Sequence, residues 1–184
     1  MQNIYHARLK LPIDFQVEDL TTTDKISHYT TQHRDLKNLL LAVGIRIQQA
    51  QRFYTPPGGT VLPHADGEYE NNHTKLNYVF GGRDSQMIWH SLRDGCTAKK
   101  MLTPVRTKYL YAPSEDLIPV FSANVGFPSL VNAGQFHSVL NSDEPRICYS
   151  FVLTYIEKSD RICWQHALER LKPYIDYDLA NNRE

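Results

Sequence analysis

Two short stretches of the sequence carry residue types that can do chemistry together. In Tyr54-Thr55-Pro56-Pro57-Gly58-Gly59-Thr60-Val61-Leu62-Pro63-His64-Ala65-Asp66-Gly67, an imidazole and a carboxylate stand two positions apart. On an extended strand, residues i and i+2 project from one face, so His64 and Asp66 can reach one metal ion together. A polar pair at a strand end has the same pattern, and in a chain with eight histidines and twenty acidic residues the triplet alone does not decide between them. A metal needs a third ligand, and the best placed is His137, in Phe136-His137-Ser138-Val139. Gly58-Gly59 could suggest a phosphate cradle, but no GK[ST] follows and no helix opens there.

Two histidines and one carboxylate on one side of a metal are the facial ligand set of non-haem Fe(II) oxygenases, with the far side left open. The segment after His137 sharpens this reading. It runs Ser138-Val139-Leu140-Asn141-Ser142-Asp143-Glu144-Pro145 into Arg146, which opens a strand, Ile147–Tyr155. His137 lies 71 residues beyond Asp66, and Arg146 lies 9 beyond His137. With this spacing the chain resembles the Fe(II)/2-oxoglutarate-dependent dioxygenases, most of all their prolyl- and aspartyl-hydroxylase-like branches, over residues 45–157. The resemblance implies that His64, Asp66 and His137 are the catalytic Fe(II) ligands. It implies that Arg146 grips the distal carboxylate of 2-oxoglutarate, a role its planar fork suits through two parallel hydrogen bonds. It also implies O2 as a co-substrate, succinate and CO2 as products, and hydroxylation of an amino-acid side chain in a peptide or a small molecule. Tyr54 and Tyr78 match places where relatives set tyrosines against the co-substrate, and both could equally be strand tyrosines packed in the barrel. One departure is Cys148: several branches carry Ser or Thr two positions after the Arg, and Ser150 or a tyrosine could replace that hydroxyl.

The elements that must position these residues follow from periodicity. Tyr5, Ala7, Leu9 and Leu11 alternate with polar residues as a half-buried strand does. Leu36, Leu39, Leu40 and Val43 repeat at helical spacing and Gly44 supplies a stop, which predicts a helix over Arg34–Val43 packed on a sheet. Residues 16–31 are mostly polar and read as loop. From Ile45 the pattern turns to short strands: Ile45–Tyr54, Leu76–Phe80, Gln86–Leu92, Val105–Tyr111, Leu117–Phe121, Ser129–Asn132 and Arg146–Tyr155. On the last, Ile147, Tyr149, Phe151 and Leu153 share one face, while Arg146, Cys148 and Ser150 share the other and would look into a barrel. A final helix with Trp164, Leu168 and Leu171 on its apolar stripe can be capped by Ser159 or Asp160, and residues 179–184 should fray. Eight or more short strands between Gly and Pro turns predict a mainly β protein, a double-stranded β-helix (jelly roll, cupin-like) with a few flanking helices. Such a fold would bring His64 and His137 to one mouth.

Composition narrows the rest. The 184 residues suit a single domain, 1–184, and 41% hydrophobic with 22% charged residues is the balance of a globular chain. Twenty basic residues cancel twenty acidic ones, so neither nucleic acid nor an anionic membrane is an expected partner. Cys96, Cys148 and Cys163 are odd in number and lack C-x-x-C spacing, which argues against a disulfide framework or structural zinc and for a reducing, cytoplasmic location. His6, His73 and His166 read as surface histidines, His28 and His33 lie in or beside the polar 16–31 segment with no partner at ligand spacing, and Arg83 and Arg93 read as turn arginines or substrate contacts. The substrate would be read by the rim, residues 67–75, 83–86 and 93–104. Two rivals stay open: a cupin-type metal dioxygenase or isomerase without 2-oxoglutarate, which the absence of any H-x-H disfavours, and a non-catalytic jelly-roll binding module.

Overall fold

The structure is a computed structural model and describes residues 5–15, 23–30, 33–67 and 73–177. Its strands are β1 (His6–Arg8), β2 (Ile26–His28), β3 (Ile45–Thr55), β4 (Thr60–Asp66), β5 (Thr74–Gly81) and β6 (Gln86–Leu92), then β7 (Lys99–Leu102), β8 (Lys108–Tyr111), β9 (Leu117–Asn124), β10 (Ser129–Asn132), β11 (Phe136–Leu140) and β12 (Arg146–Tyr155). The helices are α1 (Arg34–Ala42) and α2 (Trp164–Leu171). Two antiparallel sheets result, β1-β10-β5-β12-β3-β2 and β7-β8-β4-β11-β6-β9.

The order of the central strands defines the architecture. Successive strands β3 and β4, then β5 and β6, alternate between the sheets, as do β9, β10, β11 and β12 on the return. That alternation winds two antiparallel strands together into a double-stranded β-helix, as the sequence predicts. It also sets β4 beside β11, so residues far apart in sequence become cross-strand neighbours.

The main core lies on the outer face of the first sheet. Leu76, Tyr78, Ile147, Tyr149, Phe151 and Leu153 point away from the barrel and pack under Leu36 and Leu40 of α1 and Trp164, Leu168 and Leu171 of α2. Burying this row of large side chains supplies most of the apolar stabilisation, at roughly 25 cal/mol per Å². A smaller cluster around Met87, Trp89, Val131 and Val139 fills part of the space between the sheets.

Several boundaries differ from the sequence reading. The strand expected over Val105–Tyr111 starts at Lys108, because residues 103–107 form a turn in which the Arg106 N–H donates to the Thr103 carbonyl. Lys99–Leu102 pairs with it as an additional strand. Part of the expected 16–31 loop is β2, held against β3. The last helix begins after Cys163, later than a Ser159 or Asp160 cap would place it. The frayed tail lies outside the described residues. Among the described residues, no helix is long and apolar enough to cross a membrane.

Candidate metal centre

His64 and His137 face each other directly across the β4–β11 pairing. Their neighbours Ala65 and Phe136 are buried on the outer side of that sheet, so the period of two turns both imidazoles inward. The end of β4 is pinned: the Asp66 N–H donates to the Ala133 carbonyl and the Gly67 N–H to the Lys108 carbonyl. Asp66 thereby joins the two histidines, and the nearest ligand atoms of all three lie within 4.8 Å of one another.

The hydrogen bonds fix which ring atoms face the shared space. His64 Nδ1 lies 2.8 Å from the Leu62 carbonyl and His137 Nδ1 lies 2.8 Å from the Gln135 carbonyl. A carbonyl only accepts, so each Nδ1 carries the proton and donates, which leaves the Nε2 lone pair of both rings available. His64 Nε2 stands 3.9 Å from Asp66 Oδ1. The second carboxylate oxygen, Oδ2, is 2.7 Å from Lys75 Nζ, whose side chain is only 6% exposed.

Electrostatics keeps Asp66 and His137 in the forms that bind metal. Burial alone would raise the Asp66 carboxyl, but the Lys75 ammonium and the surrounding imidazoles hold it well below the usual carboxylate range. Burial drives His137 down to about 3, against the pull of Asp66. At neutral pH the site therefore presents an ionised Asp66 carboxylate and a neutral His137 imidazole, with the His64 imidazole beside them, and two imidazoles with a carboxylate are a donor set that a divalent first-row metal takes. The residues present fit such an ion.

Arg146 lies on the inner face of the first sheet, as the sequence reading has it. Cross-strand register puts Thr55, Phe53, Gln51 and Gln49 on this face beside Arg146, Cys148, Ser150 and Val152, and continues it through Asn77, Lys75 and Ser129. The side chain of Arg146 is buried and hydrogen-bonded to the Cys148 thiol, which burial pushes up and keeps neutral. Gln51 Nε2, Thr55 Oγ1, Asn77 Oδ1, Ser129 Oγ and Arg146 Nε are all buried without a hydrogen-bond partner. Buried polar groups rarely go unpaired. Five of them lie on this one inner face.

Tyr54 and Tyr78 are not on that face. Tyr54 pairs with Ile147 and Tyr78 with Tyr149, both on the outer face, and the Tyr78 ring stacks on Phe15 with centroids 4.3 Å apart. Their expected place against the co-substrate is corrected: the pleat turns both away from the metal centre. His73 is corrected in the other direction. It is buried, packed against the Arg161 guanidinium, and driven by burial to about 3. With Asp66, Gly67, Lys75, Arg106 and Arg161 it lines a cavity of about 420 Å³. Residues 68–72 of the expected rim lie outside the described residues. Lys75 and Arg161 were missed in the sequence. The alternation Lys75, Asn77, Val79 against Leu76, Tyr78, Phe80 was the available signal, but a polar face ordinarily reads as solvent-facing.

No protein-family model and no curated protein matches the sequence. Among solved structures, the chain is similar to E. coli ycfD over 85% of its length and 44% of that chain, at 13% identity and a TM-score of 0.40. It is similar to a cupin 2 domain-containing protein from Halorhodospira halophila over 85% of its length and 77% of that chain, at 12% identity and a TM-score of 0.34. It is similar to an oxalate oxidase solved with the substrate analogue glycolate over 62% of its length and 47% of that chain, at 16% identity and a TM-score of 0.30. It thus spans under half the length of the oxalate oxidase and ycfD chains. Likenesses this distant add nothing to the architecture, which stands on strand order alone.

Proposed function

We propose that this chain is an Fe(II)- and 2-oxoglutarate-dependent oxygenase that hydroxylates an amino-acid side chain, in a peptide or a small molecule. The observation that carries the reading is the convergence of His64 Nε2, His137 Nε2 and Asp66 Oδ1, with Arg146 buried on the inner face of the same barrel. When bound, the iron with its co-substrates 2-oxoglutarate and O2 supplies C–H oxidation coupled to release of succinate and CO2.

The chain's own contribution is orientation and solvation. The two backbone carbonyls lock the imidazoles in the tautomer that offers Nε2 to the metal. Lys75 occupies Asp66 Oδ2 and leaves Oδ1 as the ligand atom. Arg146 offers a planar pair of donors to a carboxylate, and Cys148 beside it, being neutral, does not compete as an anion. The unpaired polar atoms of that inner face can then pair with a polar co-substrate, and the apolar cluster around Trp89 and Val139 excludes water beside them.

Succinate formation from 2-oxoglutarate by iron-loaded protein tests the reading. It should be lost in Asp66→Ala and should require far more 2-oxoglutarate in Arg146→Ala. Full activity in Asp66→Ala would remove that residue from the site. A second reading is a metal-dependent dioxygenase or isomerase that binds its organic substrate without 2-oxoglutarate, and Cys148 in place of a co-substrate-binding hydroxyl favours it. Metal binding with no dependence on Arg146 or 2-oxoglutarate would select that alternative.

A further inference from the structure

We infer that the substrate carries an amide, and that Gln51 and Asn77 hold it between them, one offering a donor and the other an acceptor. That the guest is a substrate rests on the oxygenase reading above, but its binding can be measured without metal.

The first argument is a row of unanswered polar groups. On the inner face of the first sheet, Ser150 of β12 pairs with Gln51 of β3 on one side and with Asn77 of β5 on the other. Asn77 pairs in turn with Ser129 of β10. Gln51 is 3% exposed and Asn77 7%, yet Gln51 Nε2 and Asn77 Oδ1 have no hydrogen-bond partner. Ser129 Oγ at the end of the row has none either, so the row does not close on itself. A buried polar group left unpaired destabilises the fold, and three in one row call for a guest that pairs with them.

The second argument is the chemistry of the two ends. An amide nitrogen donates and an amide oxygen accepts. Ionised 2-oxoglutarate presents oxygens alone. It answers donors such as Arg146 Nε but brings no hydrogen to Asn77 Oδ1. An amide brings both, its oxygen to Gln51 Nε2 and its N–H to Asn77 Oδ1. Neighbouring strands stand about 4.8 Å apart, which sets the two residues roughly 10 Å apart at Cα. One amide with a hydrogen bond of about 2.9 Å at either end bridges such a gap above Ser150.

The third argument is how the strands deliver these residues to the metal centre. Ile45 and Ile47 pack in the core outside the sheet, and by the period of two Gln49 and Gln51 would follow them out. The β3–β12 register breaks instead: Leu153 pairs with Ile47 and Val152 with Gln49, which leaves Gln48 as an extra residue. This bulge switches the parity of the strand. Gln49 and Gln51 therefore face inward, and both line the cavity of about 420 Å³ beside Asp66. Asn77 stands two residues along β5 from Lys75, whose ammonium meets Asp66. An amide held here lies next to the metal ligands, whereas Arg146 stands four residues along β12 from Ser150.

The test titrates metal-free protein with butyramide and, separately, with butyrate, its acceptor-only isostere, and follows the side-chain 1H–15N signals of Gln51 and Asn77. Saturable shifts of both signals are expected with butyramide and none with butyrate. Gln51→Met and Asn77→Leu should each weaken butyramide binding roughly three- to tenfold, the weight of one neutral hydrogen bond. Gln51→Met removes an unpaired group, so the melting temperature of the free protein should hold or rise; a structural role for Gln51 would lower it. Should Asn77→Leu fail to fold, Gln51→Met decides alone. Absence of saturable shifts, equal affinity in the variants, or butyrate bound at these side chains as tightly as butyramide overturns the proposal. So does displacement of butyramide by 2-oxoglutarate in Zn(II)-loaded protein, which would give the pair to the co-substrate. Butyramide binding intact in a protein that forms no complex with Fe(II) and 2-oxoglutarate would refute the oxygenase reading and support the amide site.

Discussion

Replacing Lys75 with methionine should destabilise the metal-free protein strongly and the metal-loaded protein much less. Lys75 Nζ lies 2.7 Å from Asp66 Oδ2, with side-chain exposures of 6% and 19%. At an effective dielectric of about 20 the direct attraction at this distance is about 6 kcal/mol, most of it offset by the cost of taking both charges from water. Removing one partner is different, because it leaves a part-buried carboxylate unanswered, which costs up to about 3–5 kcal/mol. A divalent ion on the other side of Asp66 supplies a replacement counter-charge, so saturating Zn(II) should cut the penalty to roughly half or less. By linkage the same substitution should tighten metal binding relative to the apo state. Removing both charges in Asp66→Asn/Lys75→Met should bring apo stability back to within about 1 kcal/mol of the parent. Urea unfolding of the three proteins, with and without Zn(II), measures all of this. A Lys75→Met penalty under about 0.5 kcal/mol, the size of an ordinary surface change, would refute the reasoning. An identical penalty in both metal states would refute it equally.

Three further outcomes follow from the same structure. His73 and His137 are held to about 3, against about 6.5 when exposed, so the unfolded chain binds more protons between those values. Metal-free stability should therefore fall as pH drops through that window, by about 2 kcal/mol per histidine at pH 5; His73→Gln should remove roughly half of the slope, and an unchanged slope would contradict the burial argument. A Cβ at Gly82, where φ is 54°, would lie 2.5 Å from Ser85 Oγ, 2.6 Å from Asn141 Oδ1 and 2.9 Å from Arg146 Cβ. Gly82→Ala should thus destabilise by about 1–3 kcal/mol and weaken 2-oxoglutarate binding by displacing Arg146, as calorimetric titration would show. Tyr78→Phe removes a buried hydroxyl that has no partner, on the outer face of the sheet. Its 2-oxoglutarate affinity should match the parent's, and a loss would return Tyr78 to the site.

The inward placement of the candidate ligands was legible because the period of a strand is local. His64 and Asp66 share a strand face by the period of two, and Arg146 with Cys148 and Ser150 was assigned inward by the alternation of β12. The same alternation on β5 pairs Tyr78 with Tyr149 and puts it outside, but the resemblance to relatives drew it inward. Lys75, His73 and Arg161 were illegible for a physical reason. In most sheets the polar face meets water, whereas here the first sheet buries its apolar face under α1 and α2 and keeps its polar face inside the barrel. Only the strand order, which brings Lys75 to Asp66, converts those polar residues from surface to site.

The central claim is that His64, Asp66 and His137 hold iron with a 2-oxoglutarate chelate in reach of Arg146. Anaerobic titration with Fe(II) and then 2-oxoglutarate tests it most directly, through the visible metal-to-ligand charge-transfer band of a chelated keto acid. The band should form in the parent protein, vanish in His64→Ala, and require more 2-oxoglutarate in Arg146→Ala. Iron bound without the band would contradict the co-substrate, and no iron bound at all would contradict the metal centre itself.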